Sequence, residues 1–135
     1  MEAYYDPMRL TLHLTDTVLE ALEYLDARIL EWERNDSSKS NTCSIYNSIP
    51  IYLLSDIIEA YFAMNLAYGQ FARKMEANRI EELSEDVLKE LVVLFEAVKA
   101  ENGRAIGQLI GIKLLPAFRS YRQEMAECFN PYILC

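Results

Sequence analysis

Apolar residues recur every three or four positions in the middle of the chain, between Pro50 and Arg79. The recurring positions are Leu54, Ile57, Tyr61, Met64, Tyr68, Phe71 and Met75. This spacing returns to one face of an α-helix. A second apolar line with Ile58 and Phe62 lies beside the first, so only a narrow stripe is polar. A helix that is apolar over most of its circumference belongs in a protein interior, and we expect other helices to surround this one.

The segment before it has the same helical period. Asp6 and Pro7 are a favourable helix start, as N-cap and first helical residue, and we predict a helix that reaches about Arg34. Its expected buried residues are Leu10, Leu14, Val18, Leu22, Leu25, Ile29 and Trp32. Residues 35–49 are rich in Ser, Asn and Thr, whose side chains compete for backbone hydrogen bonds. This stretch is predicted to be a long, mobile loop.

A third helix is predicted from Ser84, which is a good N-cap residue and is followed by two acidic residues. Its expected buried residues are Leu88, Leu91, Val92, Phe95 and Val98. Asn102 and Gly103 should end it, because glycine tolerates the left-handed conformation found at helix ends.

The last segment has glycines at positions 103, 107 and 111, which a helix would place on one face. Such a face lets a neighbouring backbone approach closely. Pro116 should kink or split the helix. Beyond Pro116 the expected buried residues are Phe118, Tyr121, Met125 and Phe129. The chain of 135 residues is therefore predicted to be all-α, with a single domain over 1–135 that forms a bundle of four to six helices around the central apolar one.

Composition narrows the functional classes. The formal net charge of −8 argues against nucleic-acid binding and docking on anionic lipid, and it favours solubility or a basic partner. We find no signal peptide and no convincing membrane span, so a cytoplasmic protein without a firm membrane anchor is expected. Cys43, Cys128 and Cys135 are odd in number and widely spaced. Reduced thiols are the preferred interpretation, and an intermolecular disulfide through Cys135 is the alternative.

The chain offers few catalytic groups. His13 is the sole histidine. No second histidine exists to complete a metal site or to partner a cysteine nucleophile. Glu59 lies on the polar stripe of the apolar helix and is expected to be solvated. We therefore expect no enzyme activity, no metal and no cofactor.

Four basic residues and no acidic residue lie between Gly103 and Gln123. They are Arg104, Lys113, Arg119 and Arg122. They can pair with acidic residues on other helices, or one can anchor a carboxylate of a partner, since arginine binds carboxylates in a bidentate manner. The sequence leaves both interpretations open.

The stretch KELVVLFEAVKAENGRAIGQLIGI, residues 89–112, combines an amphipathic helix that carries Leu94 and Phe95, a turn, and a helix rich in small residues. It resembles the central homology region of the B-cell-lymphoma (Bcl) type of apoptosis regulators. Gly103 and Arg104 match the last two positions of the family's Asn-Trp-Gly-Arg turn, and Glu101 or Asn102 stands where its asparagine or tryptophan is expected. The turn lacks the tryptophan, and the spacing from Leu94 and Phe95 to the turn is one residue longer than usual.

The resemblance implies a Bcl-like bundle, in a shortened form of the kind that viruses carry, which inhibits apoptosis by sequestering pro-death ligand helices. The expected site is a hydrophobic groove that binds the amphipathic helix of a partner. Its expected partner-binding residues are Leu88, Leu91, Val92, Phe95, Asn102, Gly103 and Arg104. Arg104 would pair with an acidic residue of the ligand. The alternative is a structural or self-assembling helical-bundle subunit, a homodimer for example, without a ligand groove.

Overall fold

The computed structural model describes residues 2–35 and 51–133, and the regular elements in these ranges are all helices. They are α1 (Tyr5–Asn35), α2 (Ile51–Gly69), α3 (Ile80–Lys99), α4 (Gly103–Gln108) and α5 (Leu115–Ile133), with a π-helical segment (Leu109–Leu114) between α4 and α5. Short 3₁₀ turns cover Glu2–Tyr4 and Ala72–Lys74. The prediction of an all-α helical bundle is confirmed. Apart from residue 35, the predicted loop over 35–49 lies outside the described residues.

The α5 helix contributes the most completely buried set of side chains. Phe118, Tyr121, Met125 and Phe129 each have 0% exposure, as the periodic pattern predicts. The helix packs against both α1 and α3, and α1 in turn packs against α2. The core is therefore shared between the four long helices, with α5 well inside it.

The α1 helix ends within a residue of the prediction but begins at Tyr5, two residues before the predicted Pro7, so Asp6 is not its N-cap. Its first turns also bury different side chains. Leu10 is 51% exposed, whereas Thr11 and Thr15 are fully buried. The hydroxyls of the two threonines donate to the carbonyls of Pro7 and Thr11, each at 2.7 Å. A buried hydroxyl that is bonded to the preceding turn carries no unpaired polar group, so threonine fits the interior here. The side chain of Trp32 lies outside the described part of the chain.

The α2 helix has the buried face that its sequence predicts but is not enclosed by neighbours. Every predicted side chain from Leu54 to Phe71 is buried, and Met75 is partly buried. The opposite side is open, however: Tyr52 and Leu66 are each 74% exposed and Phe62 is 56% exposed. Full enclosure was therefore a wrong expectation. The helix also ends at Gly69, where the chain turns, rather than continuing to Arg79.

The α3 helix begins at Ile80, four residues before the predicted N-cap Ser84. The side-chain oxygen of Asn78 accepts the N–H of Ile80 at 2.9 Å. Its buried residues are Ile80, Leu83, Ser84, Val87, Leu91, Leu94 and Ala97. Of the predicted buried residues, Leu91 is buried and Val98 partly buried, whereas Leu88, Val92 and Phe95 are exposed. The reason is that the apolar run from Leu91 to Phe95 is compatible with two adjacent faces. In the same run Val92, Val93 and Phe95 are exposed, and they lie at the surfaces described below.

The turn after α3 closes with a different residue from the one predicted. Glu101 adopts the left-handed conformation (φ 54°), and no described glycine has a positive φ. The N–H of Asn102 donates to Ala97 O at 3.1 Å, and that of Glu101 to Val98 O at 3.0 Å, which is a Schellman motif. Asn102 then acts as the N-cap of α4, since its side chain accepts the N–H of Ala105 at 3.1 Å.

Replacing Glu101 by glycine should therefore stabilise the protein. A left-handed conformation costs a residue with a Cβ roughly 1–2 kcal/mol, and the entropy of glycine in the unfolded chain takes back about 0.4–1 kcal/mol. We expect a net gain of about 0.5–1 kcal/mol in the free energy of unfolding, measured with urea. The matched control Glu101→Ala keeps the Cβ and should give no comparable gain, so equal gains from both variants would contradict the assignment.

The last helix accommodates its glycines and its proline without a break. A Cβ built on Gly111 would lie 2.5 Å from Oδ1 of Asp26 on α1, so the close neighbour is a side-chain carboxylate and not the backbone that was predicted. The helix does not split at Pro116. Proline has no N–H to donate to the carbonyl of Ile112, and Ile112 lies in the π-helical segment that immediately precedes it.

Candidate helix-binding cleft

An apolar cleft of about 200 Å³ lies between α2 and α3. Its lining residues are Leu54, Ser55 and Ile58 from α2, and Leu94, Phe95 and Val98 from α3. Leu54 and Leu94 are buried beneath it, while Phe95 is 45% exposed. All of the lining side chains except that of Ser55 are apolar, so the cleft suits an apolar side chain from outside.

Beyond one end of the cleft, a small polar network ties α2 to α3. The hydroxyl of Tyr61 donates to Ser84 O at 2.8 Å, and the hydroxyl of Ser84 donates to Oδ1 of Asn65 at 2.8 Å. Tyr121 on α5 also donates to this oxygen, at 3.4 Å. Because Asn65 meets Ser84 while Leu54 shares the cleft with Val98, the two helices run antiparallel. Both partners of Ser84 lie on α2, so its burial depends on a tertiary contact that the local sequence does not show.

Apolar residues extend the cleft along both helices. Phe62 follows Ile58 by four positions, and Leu88 precedes Phe95 by seven, so each lies on the helix face that forms the cleft. Phe62 is 56% exposed and Leu88 39% exposed. Val92, 52% exposed, lies farther round the outer side of α3. The accessible apolar surface therefore exceeds the cleft itself.

The structure divides the predicted partner-binding residues among three places. Phe95 lines the cleft, Leu91 is buried at 3% exposure, and Leu88 and Val92 are exposed beside the cleft. Asn102, Gly103 and Arg104 form the turn into α4 and are not among the lining residues. The predicted site does not include the wall from α2, because the apolar pattern of that helix indicates enclosure on all sides. Its clue was the second apolar line through Ile58 and Phe62.

A second, wider groove lies on the other side of α3, against α4 and the π-helical segment. It encloses about 520 Å³ and is lined by Val93, Glu96, Ala97, Ala105, Gln108, Leu109, Ile112 and Lys113. Ile112 is 66% exposed and Val93 43%. This groove contains three polar or charged side chains in its lining, so it is less suited to an apolar ligand face than the cleft.

Of the four basic residues of the last segment, two form ion pairs with α1 and two do not. Nη2 of Arg119 lies 3.6 Å from Oε1 of Glu23, and Nε of Arg122 lies 2.8 Å from Oδ1 of Asp16. These ion pairs tie α5 to α1. Arg104 is exposed and forms no ion pair with the residues that the structure describes, and Lys113 lines the second groove.

Shifted pKa values occur away from both grooves. Burial raises the pKa of Tyr121 to about 12, and it also raises the pKa of Tyr68 and of the Cys128 thiol. His13 is exposed. Over residues 2–35 and 51–133, no group of three or more His, Cys, Asp or Glu side chains could hold a metal ion. In the same ranges no helix has the length and apolar character needed to cross a bilayer.

Comparisons with protein-family models, with curated proteins and with solved structures found no match.

Proposed function

We propose that this protein is a non-enzymatic interaction module of the cytoplasm, which binds an amphipathic helix of a partner protein in the cleft between α2 and α3. The observation that carries the proposal is Phe95, an aromatic side chain left 45% exposed above a buried apolar floor. A half-exposed aromatic residue beside an apolar cleft is typical of a binding anchor. An amphipathic helix fills such a cleft with residues at i, i+3, i+4 and i+7.

The length of the apolar surface fits a short helix. From Leu88 to Val98 the α3 helix rises about 15 Å at 1.5 Å per residue. A partner helix of about three turns would cover that length. It would place one apolar side chain between Ile58 and Phe95 and others against Phe62 and Leu88.

A finer form of the proposal follows from the resemblance to Bcl-type regulators. The order of amphipathic α3, capped turn and α4 with two buried glycines agrees with that of the family's central region. The ligands would then be pro-death helices, and the protein would inhibit apoptosis by holding them. The family's contact would require an acidic ligand residue beside Arg104, which is not among the residues that line the cleft.

The test is calorimetric titration of helical peptides into wild type and variants. The panel contains a model peptide with leucines at i, i+3, i+4 and i+7 and a neutral outer face, together with pro-death helices. Phe95→Ala should weaken binding about thirtyfold, corresponding to about 2 kcal/mol for an anchor residue. Leu10→Ala is the matched control, because Leu10 is similarly exposed, at 51%, but lies on α1.

Each outcome has a definite meaning. Binding that Phe95→Ala leaves unchanged would place the ligand elsewhere, and no saturable binding by any peptide would end the proposal. Arg104→Glu separates the finer form: a loss for pro-death peptides supports the family's contact, whereas unchanged binding removes it and leaves the cleft as the site.

Self-assembly is the second candidate, favoured by the outer side of α2. Tyr52 and Leu66, each 74% exposed, are large apolar side chains that a second copy could cover. Light scattering at high protein concentration decides this point. A dimer that dissociates in Leu66→Glu would support a homodimer, and a strict monomer would count against it.

A further inference from the structure

We infer that the helix bound in the α2–α3 cleft is basic, with lysine or arginine on the two flanks of its apolar face. The inference rests on the proposed function, since it names the chemistry of the partner in the same cleft. It is carried by the distribution of charge around the cleft rather than by the cleft's apolar lining.

Both helices that form the cleft are acidic. Together α2 and α3 contain eight acidic and two basic residues, a net charge of −6, against −8 for the whole chain. The α2 helix has no basic residue at all. A ligand in the cleft therefore lies between two helices that each carry net negative charge.

Most of these acidic side chains form no ion pair within the part of the chain that the structure describes. Glu82 pairs with Arg79 at 3.2 Å, and Glu96 pairs with Lys99 at 3.9 Å. The remaining six form no ion pair with the described residues, and they are Asp56, Glu59, Glu81, Glu85, Asp86 and Glu90. By contrast, two arginines of α5 are already engaged by acidic residues of α1. These two arginines therefore do not offset the charge of α2 and α3.

Acidic side chains lie beside the apolar surface that a ligand would cover. In the helical projection of α2, Glu59 lies just beyond Ser55, on the side away from Ile58. Glu85 lies next to Leu88 and Val92 on the outer side of α3, beyond the end of the cleft itself. Both carboxylates are exposed. A helix bound on the apolar floor would bring the side chains at the two edges of its apolar face toward these carboxylates. Opposite charges there increase both the association rate and the specificity.

The same charge disfavours the other occupants. A second copy would bring two acidic rims together, and like charges across an interface are unfavourable. A helix with acidic flanks meets the same repulsion. A basic amphipathic helix satisfies both the apolar floor and the acidic rim.

The experiment compares two synthetic helical peptides that share the same leucine positions. One has lysine on both flanks and the other has glutamate, and binding to the full chain is followed by fluorescence anisotropy. We expect the lysine peptide to bind at least about tenfold more tightly at low ionic strength. The difference should shrink at about 0.5 M salt, where the screening length falls to a few ångströms.

Two variants give the controls. The double reversal Glu59→Lys with Glu85→Lys should reduce or invert the preference for the lysine peptide. Phe95→Ala should weaken both peptides, because it removes the apolar anchor without changing charge. Binding of the lysine peptide that survives Phe95→Ala would indicate adsorption by charge alone and would overturn the inference.

The remaining outcomes separate the two proposals. If both peptides bind equally and both depend on Phe95, the cleft binds helices but the inference about charge is wrong. If the glutamate peptide binds more tightly, the inference is also wrong. If neither peptide binds, the proposed function fails, and the inference fails with it.

Discussion

Replacing Phe118 by alanine should lower the free energy of unfolding by about 3–5 kcal/mol, which is the usual cost of removing a fully buried phenylalanine. Phe118 has 0% exposure. Its ring meets Tyr61 of α2 and Tyr121 of α5 at centroid distances of 6.5 and 6.2 Å, in edge-on arrangements. The substitution would leave a cavity where these rings meet and would forfeit their contacts.

The matched control is Phe62→Ala, because Phe62 is 56% exposed on the open side of α2. That substitution should cost less than about 1 kcal/mol, as is usual for surface positions. Urea unfolding followed by circular dichroism measures both variants. Comparable losses from the two substitutions would contradict the orientation of α2, and with it the position of the cleft.

Raising the pH from 10 to 12 should remove about 2 kcal/mol of stability through Tyr121 alone. Burial raises the pKa of Tyr121 from 10.0 to about 12. Between these two values the unfolded chain loses the phenolic proton while the folded protein keeps it. This contribution is therefore fully present below pH 10 and disappears as the pH rises through 12. Burial also raises the pKa of Tyr68, so that residue acts in the same direction.

The check is urea unfolding at several pH values in wild type and in Tyr121→Phe. The variant lacks the titrating group, so its stability should fall less steeply over this range. It also loses the weak hydrogen bond to Asn65, at 3.4 Å, so the slopes rather than the absolute values are compared. Identical slopes for the two proteins would show that Tyr121 is not buried as described.

The sequence predicts a helix face well where the apolar residues are regularly spaced and the surroundings are buried. The lines on α2 and α5 meet both conditions, and every predicted residue from Leu54 to Phe71 and from Phe118 to Phe129 is buried. On α3, five successive apolar residues fit two faces. The choice between the faces depends on contacts that lie far away in the sequence.

Polar residues in the core explain the other errors. Thr11 and Thr15 are buried because their hydroxyls donate to carbonyls within α1. Ser84 is buried because it forms hydrogen bonds with Tyr61 and Asn65 on another helix. Such partners leave no periodic signal. The sequence predicts Phe95 as a site residue but not the wall of the cleft on α2. Which side of α2 stays exposed depends on how the other helices pack against it.

The most direct test of the account is to locate a bound helix on the protein by nuclear magnetic resonance. Amide shifts of the isotope-labelled chain would be followed during titration with the lysine-flanked peptide. We predict that the largest saturable shifts fall on Ser55, Ile58, Phe95 and Val98, the residues of the cleft between α2 and α3. Shifts centred instead on Val93, Ala105 and Ile112, in the groove on the other side of α3, would contradict it.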